Sequence, residues 1–336
     1  MQSLENRLHR FVSKMIAEAI TFQPHPLLRG GHIQTIVAAY LPGPRCAYKA
    51  RQRLVTLADG DRLVLHDDCP AGWQAGDRVA LLIHGLSGCH QSPYMTRLAA
   101  RLEQAGVRTF RMDLRGCGAG LAMARLPYHS GRSEDAATAL ATIAELCPKS
   151  PAALVGFSMG GNIALKLLGE LGEQPCGHLD RAVAVCPPID LAPAVEQLHR
   201  PRNRLYERHF IRRLVQAVKE RERAIPDLPM TDFRHTPRSI WEFDDMFTAR
   251  VCGFGNAPNY YQQASAIRVA AGIRLPTLVI AAEDDPLVPV APLDRLRAAR
   301  SVELRITRHG GHVAYIVLRD GGRRWLDEHI VGWGSS

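Results

Sequence analysis

The sequence predicts an α/β fold: a mostly parallel central sheet with helices on both faces and a helical cap insertion. Three observations predict it. Continuous apolar runs recur along the chain, as strands buried on both faces require. Segments with apolar residues at helical spacing alternate with them, the pattern of a parallel sheet covered on both sides. The alternation breaks once, at 191–270, a charged and aromatic stretch with no buried-strand pattern.

Taken in order, residues 53–69 (RLVTLADGDRLVLHDDC) are two β-rich arms around Asp59-Gly60, a hairpin that adds antiparallel strands at one edge. RVALLIHGL (78–86) is the first buried strand. YMTRLAARLEQAG (94–106) is a helix with Gly106 as its C-cap signal. VRTFRMDLRG (107–116) is a strand. SEDAATALATIAELC (133–147) is a helix whose Ser133, Glu134 and Asp135 suit an N-terminus. AALVGFS (152–158) is a strand, MGGNIALKLLGELG (159–172) a helix and RAVAVCPP (181–188) a strand. PTLVIAAEDD (276–285) and VELRITRHGG (302–311) are strands separated by APLDRLRAA, and GRRWLDEHIVGW (322–333) closes the chain as a helix. Inside the break, Leu205, Tyr206, Phe210, Leu214 and Val218 recur at helical spacing, so 203–222 is an amphipathic helix. The expected organisation is an N-terminal segment 1–52 packing on the core, a core from 53–190 and 271–336, and a cap at 191–270. The cap would lie over the strand ends, where open α/β sheets bind ligands.

Composition narrows the function. With 46% hydrophobic and 22% charged residues in 336, the chain can bury a large core and is not of disordered composition. No apolar run reaches the roughly 18 residues of a membrane span. RFVSKMIAEAI (10–20) is broken by Arg10, Lys14 and Glu18, which suits an amphipathic helix better than a signal peptide. Eight cysteines without CxxC pairing point away from a disulfide scaffold and a zinc site, so no metal or cofactor is expected. Cys89 and Cys117 read as packing residues, and free thiols fit a cytoplasmic location. The formal charge of +9 is concentrated at 200–223, where nine basic residues face three acidic ones. That segment reads as a solvated helix face; nucleic acid is not an expected partner, and peripheral contact with an anionic membrane surface is.

The chemistry starts at LVGFSMGGN (154–162). Gly156-Phe157-Ser158-Met159-Gly160 fits G-x-S-x-G between a predicted strand and a predicted helix, a turn that lifts a serine hydroxyl off the sheet edge. A serine needs a base, and the base an orienting acid. In chain order these are Asp285, in AAEDDPLVP, and His312, after Gly310-Gly311, each following a strand. Asp284 is the alternative acid. His309 reads as strand-end surface and His84 as a residue that holds its loop. The oxyanion donors expected are the backbone N–H groups of Met159 and, in HGLSG, of Leu86. Trp241, Phe243, Phe247, Phe254, Tyr260 and Tyr261 are candidates for receiving an acyl chain.

The order HGLSG, DLRGCG, GFSMGG, DDPLVP, GGH resembles the α/β-hydrolase superfamily. FQPHPLLRGGHIQTI (22–36), YHSGRSEDA (128–136), EFDDMFTARVCGF and NYYQQAS (242–265) resemble the YheT family, the AB hydrolase 4 branch. The preference for Asp285 over Asp284 rests on its Pro286 and Pro289, a spacing similar to that of α/β-hydrolase acid loops. The resemblance implies an α/β-hydrolase fold and a carboxylesterase-like Ser158–His312–Asp285 hydrolase of small acyl esters, of short or medium chain. An acyltransferase with the same triad and a non-catalytic acyl-binding protein remain open, as does the oligomeric state.

Overall fold

The computed structural model describes residues 22–40, 48–317 apart from 229, 232 and 234, and 325–334. The amphipathic helix expected at 10–20 lies outside them. Among the described residues eight strands form one sheet: β1 (Arg51–Thr56), β2 (Arg62–Asp68), β3 (Val79–Ile83), β4 (Arg108–Asp113), β5 (Ala152–Phe157), β6 (Leu179–Val185), β7 (Thr277–Ala282) and β8 (Val302–Thr307). Their spatial order is β1-β2-β4-β3-β5-β6-β7-β8. The hairpin β1–β2 and the pair β2–β4 are antiparallel, and every other pair is parallel. Among the described residues these helices flank it: α1 (Gly31–Tyr40), α2 (Pro93–Gln104), α3 (Ser133–Leu146), α4 (Met159–Leu171), α5 (Leu191–His199), α6 (Arg204–Ala224), α7 (Ile240–Phe243), α8 (Ala257–Ala264) and α9 (Trp325–Gly334). After α7 the chain runs on through a π turn, Asp244–Thr248, and one last turn, Ala249–Val251.

Apolar residues at every position make β3 two-faced. In β3, Val79, Leu81 and Ile83 join one core cluster with α3 and α4, while Ala80 and Leu82 join the other with α2 and α9. Period-two alternation does this automatically once both faces are covered. Phe22, Tyr315 and Trp325 tie the start and the end of the described chain together, with ring centroids 5.2–5.9 Å apart.

Two expectations needed adjusting. The helix at 204–224 buries Glu207, Ile211, Leu214, Val218 and Arg221, a stripe rotated from the one read in the sequence. Leu205, assigned to the apolar face, is 78% exposed. Tertiary partners choose the stripe: Arg221 Nη2 donates to the carbonyls of Ala124 and Arg125, and Glu207 Oε1 accepts the Ile240 N–H. The basic run is therefore not uniformly solvated, although Arg204, Arg208, Arg212, Lys219 and Arg223 are exposed. The segment APLDRLRAA is helical in the 3-10 sense, Ala291–Ala298. No helix among the described residues is long and apolar enough to cross a membrane.

The reversal of strand order places the site. Chain progression runs one way from β3 to β4 and the other way from β3 to β5, so a crevice opens at the carboxyl ends of β3 and β5. Leu86 follows β3 and Ser158 follows β5.

Helices α2 and α9 are joined by a buried ion pair, Arg97 Nε to Asp327 Oδ2 at 2.5 Å with Nη2 to Oδ1 at 3.2 Å. Arg97→Met leaves the Asp327 carboxylate buried without its partner and is expected to cost about 3–5 kcal/mol in urea unfolding. The double variant Arg97→Met, Asp327→Leu should regain most of it. A single-variant loss below about 1 kcal/mol, the size of an exposed pair, would contradict this reading.

Candidate active site

Ser158 is the turn between β5 and α4, with φ 50° and ψ −119°. A side chain at such angles is strained, and the surroundings must hold it there. They do so through the Ser158 N–H, which donates to the Val185 carbonyl at 2.8 Å, and through its own carbonyl, which accepts the Gly161 N–H at 2.8 Å. The flanking glycines have the steric reason the motif implies. A Cβ at Gly156 would overlap the Gly160 backbone, and one at Gly160 would overlap the Ile83 and His84 carbonyls.

His312 Nε2 lies 2.9 Å from Ser158 Oγ, and His312 Nδ1 lies 2.7 Å from Asp285 Oδ2. With Asp285 ionised, Nδ1–H donates to the carboxylate, and Nε2 is left to accept the serine O–H. The second carboxylate oxygen of Asp285 accepts the N–H groups of Leu287 and Val288 at 2.8 and 3.0 Å. The turn into Pro286 thus fixes the acid. Asp284 faces elsewhere: its Oδ1 accepts the Gly311 N–H at 2.9 Å and its Oδ2 lies 3.3 Å from His309 Nδ1. His309 is therefore a partner of Asp284 rather than simple strand-end surface.

Packing requires the two glycines before His312. A Cβ at Gly310 would meet the Tyr315 ring at 2.5 Å, and one at Gly311, where φ is 60°, would meet the Gly31 carbonyl at 2.6 Å. The glycines allow the loop to press against its neighbours.

Met159 is the first residue of α4, so its N–H has no acceptor within the helix. Leu86 has no hydrogen-bond partner for its N–H among the described residues. Both line one cavity with Ser158 and His312. The Leu86 loop is pinned on either side, since Gly85 N–H donates to Tyr94 Oη at 2.9 Å and Ser87 N–H donates to Tyr128 Oη at 3.1 Å. His84 is buried and holds the same loop, with Nδ1 on the Gly85 carbonyl at 2.8 Å and Nε2 accepting the Leu114 N–H at 3.2 Å. Burial pushes its pKa down, which suits a neutral ring in that role. Tyr94 and Tyr128 were not singled out as site residues in the sequence; YHSGRSEDA, quoted for the resemblance, contains the second. Cys186, directly after β6, was also passed over: its Sγ accepts the N–H of Val313, the residue after His312, at 3.4 Å.

The cavity has a volume of about 140 Å³. Its apolar lining comes mainly from the capping helices, among them Leu191, Leu198, Leu214, Phe243 and Phe247. Tyr260 and Tyr261 line it too, but Trp241 and Phe254 do not. Trp241 instead edges a larger open groove of about 1570 Å³, which includes neither Ser158 nor His312. One carboxyl group sits in the inner cavity wall. Asp244, on the π turn, accepts hydrogen bonds from Thr248 Oγ1 at 2.8 Å and Tyr261 Oη at 2.9 Å and has no cationic partner among the described residues. Burial pushes its pKa up to about 7, against the smaller opposing pull of those hydroxyls.

With this geometry in view, known proteins become informative. The family model of the alpha/beta hydrolase fold matches residues 79–317. YheT of Escherichia coli K12 is 34% identical over 291 residues, 84% of this chain and 83% of its own. Human phospholipase ABHD3 is 26% identical over 88% of this chain and 74% of its own. Among solved structures, the Pyrococcus furiosus esterase Pf2001 shares the fold, with a TM-score of 0.54 at 17% identity over 85% of this chain and 92% of that one. The chain belongs to the α/β-hydrolase family, an esterase and lipase type of fold with a mostly parallel sheet. Within that family it is of the YheT type.

Asp244 gives a pH prediction with a definite sign. Its proton is held more tightly in the folded chain than at the ordinary value of 3.8, so stability is lost as pH rises from about 4 through about 7. Asp244→Asn keeps a neutral partner for both hydroxyls. It should raise Tm relative to wild type by a few degrees at pH 8, with the gain shrinking towards pH 5. A difference independent of pH would show that Asp244 holds no proton.

Proposed function

We propose that the chain is a serine carboxylesterase acting on acyl esters of short or medium chain. The observation that carries this is the unbroken line from Ser158 Oγ through the His312 ring to Asp285, at 2.9 and 2.7 Å. Ser158 Oγ attacks the acyl carbonyl while His312 Nε2 takes its proton. The oxygen that becomes negative is met by the N–H groups of Met159 and Leu86, at the positive end of α4. His312 then protonates the departing alkoxide, and the acyl group remains on Ser158. Water, deprotonated by the same nitrogen, attacks the acyl-enzyme and releases the acid. Asp285 keeps the ring in the required tautomer and stabilises its cation throughout.

The acyl group would enter the inner cavity under the cap. At about 140 Å³ that cavity is smaller than the roughly 300–1,000 Å³ of sites for drug-sized ligands, which supports short chains over long ones. The names of the relatives point to ester substrates of the same general class. The domain division at 191 and 270 is proposed on the same ground, since residues between those limits roof the cavity.

The test is a series of p-nitrophenyl esters from acetate to palmitate. The wild-type kcat/KM should peak at short or medium chains, with hydrolysis remaining the main outcome when ethanol is added. Ser158→Ala should lose about 10,000-fold or more in kcat. Full turnover by that variant, or a maximum at palmitate, would contradict the proposal.

A further inference from the structure

The segment LLRGGHIQT (27–35) contributes no group to the line of Ser158, His312 and Asp285, yet it sits against the loop that carries His312. That loop is strained. Gly311 has φ 60°, and Val313 and Tyr315 have φ 56° and 48°. Positive φ is unusual for any side chain and a clear outlier for a β-branched one, so Val313 must be held in place by its neighbours. A loop of this kind relaxes when its contacts are removed, and relaxation would carry the imbalance straight to the intervening His312.

Cys186 Sγ takes the Val313 N–H, and helix α1 holds the loop on either side of Val313, at Gly311 and His312 and at Ile316. Thr35 Oγ1 donates its single hydrogen to the Gly31 carbonyl at 2.7 Å. Towards His312 it can therefore only accept, and it accepts the His312 backbone N–H at 2.9 Å. Gln34 is fully buried. Its Oε1 accepts the Ile316 N–H at 2.8 Å, and its Nε2 donates to the carbonyls of Leu28 and Ile316 at 2.9 and 3.3 Å. One amide side chain thus takes both backbone groups of Ile316, as a neighbouring strand would. Gly31 completes the contact: a Cβ there would overlap the Asp284 carbonyl, so only glycine lets α1 reach the acid and histidine loops together.

We propose that α1 is a clamp on the His312 loop, with Thr35 and Gln34 as positioning residues that set the imidazole over Ser158. The proposal rests on the triad reading above. It assigns a mechanical purpose to the Gly-Gly-His-Ile-Gln-Thr run: the glycine gives access, the glutamine holds the backbone of Ile316, and the threonine fixes the backbone of His312 itself. Displacement of an imidazole by about 1 Å is enough to cost roughly 100-fold in turnover while leaving the acyl cavity intact.

The test compares Thr35→Val, Thr35→Ser, Gln34→Leu, the exposed control Ile36→Ala, and Ser158→Ala in the full chain. It measures kcat and KM on a short-chain p-nitrophenyl ester and amide hydrogen exchange across residues 309–317. Thr35→Val and Gln34→Leu should lose about 10- to 100-fold in kcat with KM within about twofold, and should exchange faster across 309–317. Thr35→Ser restores the acceptor and should restore kcat, while Ile36→Ala should match wild type. Folded Thr35→Val and Gln34→Leu with wild-type kcat and exchange would overturn the clamp, as would a loss confined to KM or one equally large in Thr35→Ser. If Thr35→Val does not fold, Thr35→Ala takes its place under the same two outcomes. Should Ser158→Ala retain turnover, the triad reading is what fails. The exchange measurement then still decides whether Thr35 and Gln34 hold the loop.

Discussion

The hydrogen bond between His312 Nε2 and Ser158 Oγ is the contact on which the rest of the architecture depends. Its two residues stand on loops after β8 and β5, three strands apart in the sheet. A sheet fixes the positions of strand ends rigidly, but it does not fix the loops that follow. The structure meets that need with many short backbone contacts. The Asp285 loop is held by its own N–H groups on the Asp285 carboxylate, the His312 loop by α1 and Asp284, and the Leu86 loop by two tyrosines and His84.

Backbone strain follows the same plan. Among the described residues, Ser87, Ser158, Cys186, Val313 and Tyr315 have positive φ without being glycine. All five follow the carboxyl ends of parallel strands, β3, β5, β6 and β8. Strain collected at one end of a sheet is affordable only where a large core holds the other elements in place. Here both sheet faces are covered by continuous apolar clusters. A buried carboxylate at the end of β4 helps: Asp113 accepts from His66, from the His90 ring and from the His90 N–H, which anchors the far end of the loop that carries Leu86. Burial opposes its charge, but those hydrogen bonds outweigh that and hold its pKa below the ordinary carboxylate range.

Most of the sheet was legible because each strand's pattern is local. β3 and β5 carry no polar side chain and β7 only Thr277, and the serine elbow follows from glycines two residues to either side of Ser158. That Ser158, Asp285 and His312 could be picked out together has the same reason, since each follows a recognisable strand. What escaped depends on distant partners. Gln34 meets Ile316 across 282 residues, and nothing near either one announces the pairing. The buried stripe of α6 was misjudged because Leu205 is apolar and Arg221 charged. Their fates were decided by carbonyls at 124 and 125 rather than by hydropathy. The choice of Asp285 over Asp284 needed resemblance, because two adjacent carboxylates differ only in which way the turn aims them.

The central claim is that Ser158 is a nucleophile activated by His312. The most direct measurement is intact mass and peptide mapping after exposure to a fluorophosphonate. The account predicts one adduct, on the peptide containing Ser158, formed rapidly in wild type and at least about 1,000-fold more slowly in His312→Ala. An adduct at another serine, or labelling of Ser158 that is indifferent to the loss of His312, would contradict it.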